Sequence, residues 1–550
     1  PLREHVTGQF RRPFLVLACA VGCVLLITCV NLANLLLARA AARQKEIAVR
    51  LSLGAGRSRL IRQLLTESVL LALGGAALGV PLAILVTRAI ARCQAVGIPL
   101  LQSARVDNLT LGFALLAACS TGLLFGIVPA LQFSKSRLHV DLKEAGRGSS
   151  AGRRGLRIRE TLVVSEVALA CVLLVGSGLL LRSFVRLIDV DLGFRPEQVV
   201  TCRIRVNRDF TTNTQQIAYF GEISRRIKAL PAVESVGFTH ALPFAIRDVV
   251  KVRAQGATYA PGEMPSVFVQ EGDHGYFETL RIPLIAGRTF GLQERPFEAN
   301  APPDTTFSVV VNQRMARALW PGRDAVDQTV LIQENTSGAS GSFTCKVIGV
   351  VGNVRQNQLE PEAAPQIYLP GVGGQLVVRT RQTLASFAPS LRAAIREVGS
   401  DIFLEDVQTL SQMVDQFISP KKLILLVVGL FSLLALLLAM VGIYGIIAYS
   451  VSQRIPEMGI RLALGSPRSS LMWLVIGKGM QLAVLGCAAG LAGSLAFTRV
   501  IQALLFEVSP TDPLSFAASG LLVLVIGVMA CWLPARRAAC INPMTALRCE

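Results

Sequence analysis

The stretch Arg43-Gln44-Lys45-Glu46-Ile47-Ala48-Val49-Arg50-Leu51-Ser52-Leu53-Gly54-Ala55 decides the reading of this chain. It recurs near the other end as Arg454-Ile455-Pro456-Glu457-Met458-Gly459-Ile460-Arg461-Leu462-Ala463-Leu464-Gly465-Ser466. A constant offset of 411 pairs Glu46 with Glu457, Arg50 with Arg461, Leu51 with Leu462, Leu53 with Leu464 and Gly54 with Gly465. The same offset carries on to Arg57 with Arg468, Gly75 with Gly486 and Gly79 with Gly490. Self-similarity over such a distance means that one structural unit has been used twice. Each copy is a charged amphipathic segment between long apolar runs. On a helix its Glu and Arg stand at i, i+4, an exposed pair worth about 0.2–0.5 kcal/mol. A leucine follows, then a glycine suited to end the helix and turn the chain back.

The apolar runs give the framework. Pro13–Ala38, Leu64–Ile90, Thr110–Leu131, Glu160–Leu181, Lys421–Tyr449, Leu471–Phe497 and Leu514–Leu533 are each long and apolar enough to be read as membrane spans. Arg39, Arg43, Lys45, Arg50, Arg57, Arg59 and Arg62 crowd the first loop, and Lys135 to Arg159 is as basic, which places both loops in the cytoplasm. Four spans separate Glu46 from Glu457, and an even number returns both copies to one side. The domain between the fourth and fifth spans is therefore extracytoplasmic, and the repeat is parallel. Small residues in the second span (Gly74, Gly75, Ala76, Ala77, Gly79) allow close helix packing. The second half repeats the first to its last turn, with Pro129-Ala130 matched by Pro534-Ala535.

Composition agrees. The chain of 550 residues is 52% hydrophobic and 17% charged, below the quarter or so typical of soluble domains. Its net charge of +19 is accounted for by cytoplasmic basic loops, so no nucleic-acid partner is inferred. Most of the 12 cysteines lie in apolar runs and read as small hydrophobes. Cys202 and Cys345 lie in the polar domain, where the sequence leaves their pairing open. No Cys/His spacing suggests a metal. The chain opens on Pro1 without a signal peptide, and we read it as lacking an N-terminal part.

Three polar residues stand out within the spans. Asn31 and Asn34, at i, i+3, suit interhelical hydrogen bonding, with a transport role as the alternative. Glu166 lies about 9 Å along the helix from Glu160 at 1.5 Å per residue. It is read as lying near the headgroups or pairing with a neighbour such as Lys478, with a proton relay as the functional alternative. Gly146 to Gly155, rich in Gly, Ser and Arg, reads as a flexible linker between halves. From Arg182 to about Pro420 β-rich runs (Val199–Val206, Phe307–Asn312, Cys345–Val351, Gln375–Arg379) alternate with amphipathic helices (Gln215–Leu230, Gln313–Trp320, Thr383–Val398). This predicts an α+β domain or two packed lobes, with a βαβ-like unit from Gln375 to Val407.

Glu-x-Gly/Ala-x-Arg-x-x-Leu-Gly after a transmembrane helix resembles the FtsX-like permease domain of the MacB, LolC/LolE and FtsX group of ABC transporters. Gly193-Phe194-Arg195-Pro196, Tyr276 through Leu284 with Gly287-Arg288, Val310-Val311-Asn312, Leu319-Trp320-Pro321-Gly322, Val347 through Gly352 and Ile367-Tyr368-Leu369-Pro370 are similar to the MacB-like periplasmic core. Two permease units in one chain most resemble the acidobacterial duplicated orphan permeases, which begin with one further helix and one further periplasmic domain.

The resemblance implies an α-helical polytopic membrane protein, seven transmembrane helices in this fragment, with an inserted α+β extracytoplasmic domain. The expected division is 1–145 (first FtsX-like copy), 146–159 (linker), 160–181 (span), 182–420 (periplasmic core) and 421–550 (second copy). It implies docking of a separate ABC ATPase on Glu46, Arg50, Leu53, Gly54 and Arg57 and on Glu457, Arg461, Leu464, Gly465 and Arg468. It also implies residence in a bacterial inner membrane and a periplasmic or outer-membrane partner.

The chain has no GxxxxGK[ST] and no defensible Ser/His/Asp order, so no enzyme site and no cofactor are expected in it; ATP would sit on the partner ATPase. Two alternatives remain: an FtsX-like regulator or scaffold, and an ion-coupled transporter, for which Glu166 alone is poor support.

Overall fold

The computed structural model describes residues 2–42, 57–92, 106–134 and 150–540, with breaks at 209, 211, 245–247, 261–262, 293, 298–304, 337–338, 357–362 and 503–504. It resolves into two units, residues 1–186 with 419–550, and residues 187–418.

The first unit is helical because its apolar runs leave the backbone no partner but itself. Its first three helices are α1 (Leu2–Ala42), α2 (Arg57–Arg92) and α3 (Asn108–Ser134), followed by α4 (Ser150–Ile188). Among the described residues, six helices are long and apolar enough to cross a membrane; in α3 the described apolar stretch, Asn108–Leu123, is shorter. The expected linker is corrected in part: from Ser150 the chain is already helical and runs unbroken into the fourth span. Arg and Leu are good helix formers, and a helix propagates more easily than it nucleates.

The second unit begins with β1 (Val199–Val206), α5 (Asn213–Lys228) and β2 (Val233–Thr239). A lobe of β3 (Val249–Ala254), β4 (Ser266–Gly272), α6 (Tyr276–Leu280), β5 (Leu284–Gly287), β6 (Thr306–Asn312), α7 (Gln313–Leu319), β7 (Thr329–Thr336), β8 (Ala339–Val351) and β9 (Gln366–Pro370) is inserted next. Then β10 (Gly374–Thr380), α8 (Leu384–Val398) and β11 (Ile402–Thr409) complete the first lobe. Strand order β11-β1-β10-β2, antiparallel throughout, makes that lobe a split β-α-β arrangement of ferredoxin-like type. The expected βαβ unit is β10-α8-β11, with β1 lying between its two strands.

Each lobe has its own core. In the first, Cys202, Phe220, Ile223, Phe238, Leu376, Phe387 and Leu391 pack between the sheet and α5 and α8. In α8 the buried Phe387, Leu391, Ala394 and Ile395 recur at helical spacing. In the second lobe Phe307, Val309, Trp320, Cys345, Val347 and Ile367 form the core. Cys202 and Cys345 thus sit in different cores as free thiols, and burial pushes each thiol up to about 12. The sheet itself is continuous across the lobes, β2 meeting β4 at one pair, Thr239 opposite Gly272.

Asp273, 6% exposed, follows β4 and accepts a hydrogen bond from Gly275 N at 3.1 Å. Burial pushes its carboxyl to about 7, above its ordinary value. A carboxyl raised in the folded state binds its proton more tightly there, so stability falls as pH rises from about 4 through about 7. Asp273→Asn keeps the acceptor and removes the charge. It should raise stability at pH 8 by on the order of 2–4 kcal/mol and change it far less at pH 5. Calorimetric unfolding at the two pH values checks this, and equal shifts at both would refute it.

The chain then returns to the first unit through α9 (Leu410–Gln453), α10 (Ile455–Ala463), α11 (Arg468–Ile501) and α12 (Pro513–Ala539). Helix α9 already starts at Leu410, ahead of the expected boundary at 420, and runs through Pro420. In the core of this unit Val167 and Cys171 of α4 meet α11, where Gly490 permits the approach: a Cβ there would lie 2.7 Å from Ala168 O. Ser432 Oγ of α9 donates to Leu173 O at 2.9 Å, Phe506 N donates to Ser183 Oγ at 2.7 Å, and Arg182 pairs with Asp512.

Candidate functional site

Helix α10 is nine residues long and built for its place between two spans. Pro456 in its first turn supplies a preset φ where a missing N–H costs little. Glu457 lies in the first turn and Arg461 in the last, each matching the sign of the helix dipole. The helix ends in a Schellman arrangement: Ser466 N donates to Arg461 O at 3.0 Å and Gly465 N to Leu462 O at 3.1 Å, with Gly465 at φ +88°.

Two faces result. Met458 is buried in the core of the membrane unit and Leu462 packs against it. On the other face Glu457, Ile460, Arg461 and Leu464 recur at i, i+3, i+4 and i+7. Ile460 is 48% and Leu464 81% exposed, and Arg461 donates to Glu457 Oε1 at 2.8 Å. Two large apolar side chains are thus held out beside a formed ion pair. Arg468 opens α11 next to it. In the first copy Glu46, Arg50, Leu53 and Gly54 lie outside the described residues, and Arg57 opens α2.

Ile460 was not among the residues singled out from the sequence. Two signals pointed to it: its i, i+4 spacing to Leu464, and Val49 at the matching position of the first copy.

A second constellation lies inside the helix bundle. Asn31 Nδ2 of α1 donates to Glu166 Oε1 of α4 at 2.5 Å and to Leu438 O of α9 at 3.1 Å. Glu166 is fully buried and its Oε2 has no hydrogen-bond partner among the described residues; a Cβ at Gly442 of α9 would overlap that oxygen. The side-chain N and O of Asn34 are likewise buried without a hydrogen-bond partner among the described residues. The expected pairing of Glu166 with Lys478 is corrected: Lys478 pairs with Glu160 at 2.8 Å. Glu160 and Glu166 are six residues apart, more than one and a half turns, so their side chains leave α4 in different directions. Glu166 is therefore buried among helices rather than placed beside a cation.

The family model described as FtsX-like permease C-terminal matches residues 18–138 and again 429–543. The MacB-like periplasmic core domain model matches residues 162–415. Among curated relatives, a macrolide export ATP-binding/permease protein MacB from Bradyrhizobium diazoefficiens is 26% identical over 308 residues, covering 52% of this chain and 44% of the relative. The MacB of Escherichia coli K12 is 25% identical over 293 residues, covering 50% of this chain and 42% of the relative. The chain thus spans less than half the length of these relatives. Among solved structures, the periplasmic region of MacB from Actinobacillus actinomycetemcomitans aligns with 42% of this chain and 97% of its own, at 13% identity and a TM-score of 0.25. With FtsX-like permease segments on either side of a MacB-like periplasmic core, the chain belongs to the FtsX/MacB-like permeases of ABC transporters.

Proposed function

We propose that this chain is the permease subunit of an inner-membrane transporter driven by a separate ABC ATPase. ATP hydrolysis on that partner moves the two repeated helices, and the spans relay the motion to the periplasmic domain for efflux or extraction of a substrate. The observation that carries this reading is the outward face of α10, where Ile460 and Leu464 stand exposed beside the Glu457–Arg461 pair. The repeat supports it, because an ATPase that works as a pair needs two equivalent docking segments, and Glu46 to Gly54 repeats the sequence of Glu457 to Gly465. The relatives carry ATP-binding and permease functions under one name, and the part this chain matches supplies the permease.

The test is co-purification of the full-length protein with ABC ATPases of its host, comparing wild type with a Leu53→Asp/Leu464→Asp double variant. Burying each leucine side chain is worth about 1.5–3 kcal/mol, so the double variant should lose capture by about a hundredfold or more. Undiminished capture by the variant would dismiss α10 and its repeat as the docking surface. Loss of capture together with unchanged span packing, followed by hydrogen exchange, supports it.

A further inference from the structure

The sheet of the first lobe has two faces, and only one is covered by α5 and α8. Side chains alternate along a strand, so with Cys202 and Ile204 in the helical core, Thr201 and Arg203 point the other way. There they meet Gln408 and Gln375, their register partners on β11 and β10 respectively. His240, Ala241 and Leu242 after β2, Asp248 before β3 and Met413 at the start of α9 close a cleft of about 380 Å³ over that face.

Three features distinguish this cleft from an ordinary surface hollow. First, β11 carries a bulge: Asp406 and Val407 together face the single residue Cys202. Val407 packs on the helical core, and Asp406, at φ +53°, takes the extra position and lines the cleft. Bulges re-aim side chains in this way, and a left-handed non-glycine residue is uncommon. Second, Arg203, Asp248 and Asp406 make no ion pair or side-chain hydrogen bond among the described residues, although the rest of the domain is laced with such pairs. Third, the Thr201 hydroxyl at the floor is buried, 1% exposed, with no hydrogen-bond partner among the described residues. An orphaned buried hydroxyl costs about 1–3 kcal/mol, and a native structure rarely keeps one without use.

We propose that this cleft is a binding site for a small zwitterion of dipeptide size. Arg203 takes its carboxylate, Asp248 and Asp406 take its ammonium group, and the Thr201 hydroxyl donates to a carbonyl between them. Leu242 and Met413 provide an apolar floor for its side chains. The volume lies within the range of small-molecule pockets, about 300–1,000 Å³. A site with one unpaired cation and two unpaired carboxylates favours a ligand carrying both charges over one carrying either alone. The proposal goes beyond the docking reading and its test uses no ATPase, so the two stand or fall separately.

The test is titration calorimetry on the full chain in lipid nanodiscs with leucylleucine, its N-acetyl derivative and its amide. The free dipeptide should bind, and each blocked form should bind about tenfold more weakly or worse. Arg203→Gln and Asp406→Asn should each weaken the free dipeptide about tenfold. Both residues are exposed, so neither change should alter the unfolding temperature of the domain; Thr201→Val, of nearly the same shape, should weaken binding as well. No binding of any of the three compounds by the wild type, equal binding of all three, or binding indifferent to both charge variants would each overturn the proposal.

Discussion

Replacing Arg379 by leucine is expected to cost the periplasmic domain about 3–5 kcal/mol. Arg379 lies in β10, between β1 and β2, and is 3% exposed. Its guanidinium makes no side-chain ion pair among the described residues. Instead Nε donates to Thr279 O at 2.9 Å, one terminal nitrogen to Glu197 O at 2.8 Å and the other to Arg195 O at 2.9 Å. These three carbonyls belong to α6 and to the segment entering β1, so one side chain fastens the inserted lobe and the domain entrance to a central strand. Leucine fills part of the volume but leaves three carbonyl acceptors without this donor. Lysine keeps the charge but not the planar fork, and should restore only a minor part of the loss. Hydrogen exchange on the full chain reads the effect directly: protection of residues 195–199 and 374–380 should fall in Arg379→Leu. Unchanged protection there would show that the three bonds contribute nothing net.

The second large effect is expected at Gly442. Alanine there would place a methyl group on Glu166 Oε2, in a fully buried carboxyl whose other oxygen is bonded to Asn31. Gly442→Ala should therefore break the Asn31–Glu166 bond and destabilise the bundle by about 1–3 kcal/mol, the range for leaving a buried polar group without its partner. The sharper prediction is non-additive. Glu166→Ala removes the obstacle and leaves Asn31 its bond to Leu438 O, so Gly442→Ala should cost little in that background. A double-mutant cycle on the unfolding temperature in nanodiscs measures this. Additive costs would mean that Gly442 is there for some reason other than Glu166.

Much of this architecture was legible from the residues, and the reasons differ from element to element. The spans were legible because a run such as Leu514–Leu533 has no other way to satisfy its backbone in lipid. The repeated helix was legible because Glu457, Arg461, Leu464 and Gly465 have partners 411 residues earlier. In the inserted domain, alternation along β1 and helical spacing along α8 are local signals, and they gave the elements. What sequence spacing does not encode is which distant element each one meets. Glu166 finds Asn31, 135 residues away on a helix of the first permease copy, and nothing local to either residue announces the other. The bulge at Asp406 is set by the register of β11 against β1, a property of two strands far apart in the chain. Ser150–Gly155 misled for the opposite reason: its composition is that of a linker, and the helix it joins overrides that preference.

The left-handed glycine that closes α10 has a consequence for how this chain changes over generations. At φ +88° any side chain costs about 1–2 kcal/mol, and asparagine is among the few residues that bear the conformation well. Every glycine codon begins GG, and asparagine codons begin AA, so no single base change connects them. Each single-step missense neighbour of Gly465 is alanine, valine, serine, cysteine, tryptophan, arginine, aspartate or glutamate, and of these only aspartate offers partial relief. The genetic code therefore leaves this corner almost no gradual route away from glycine.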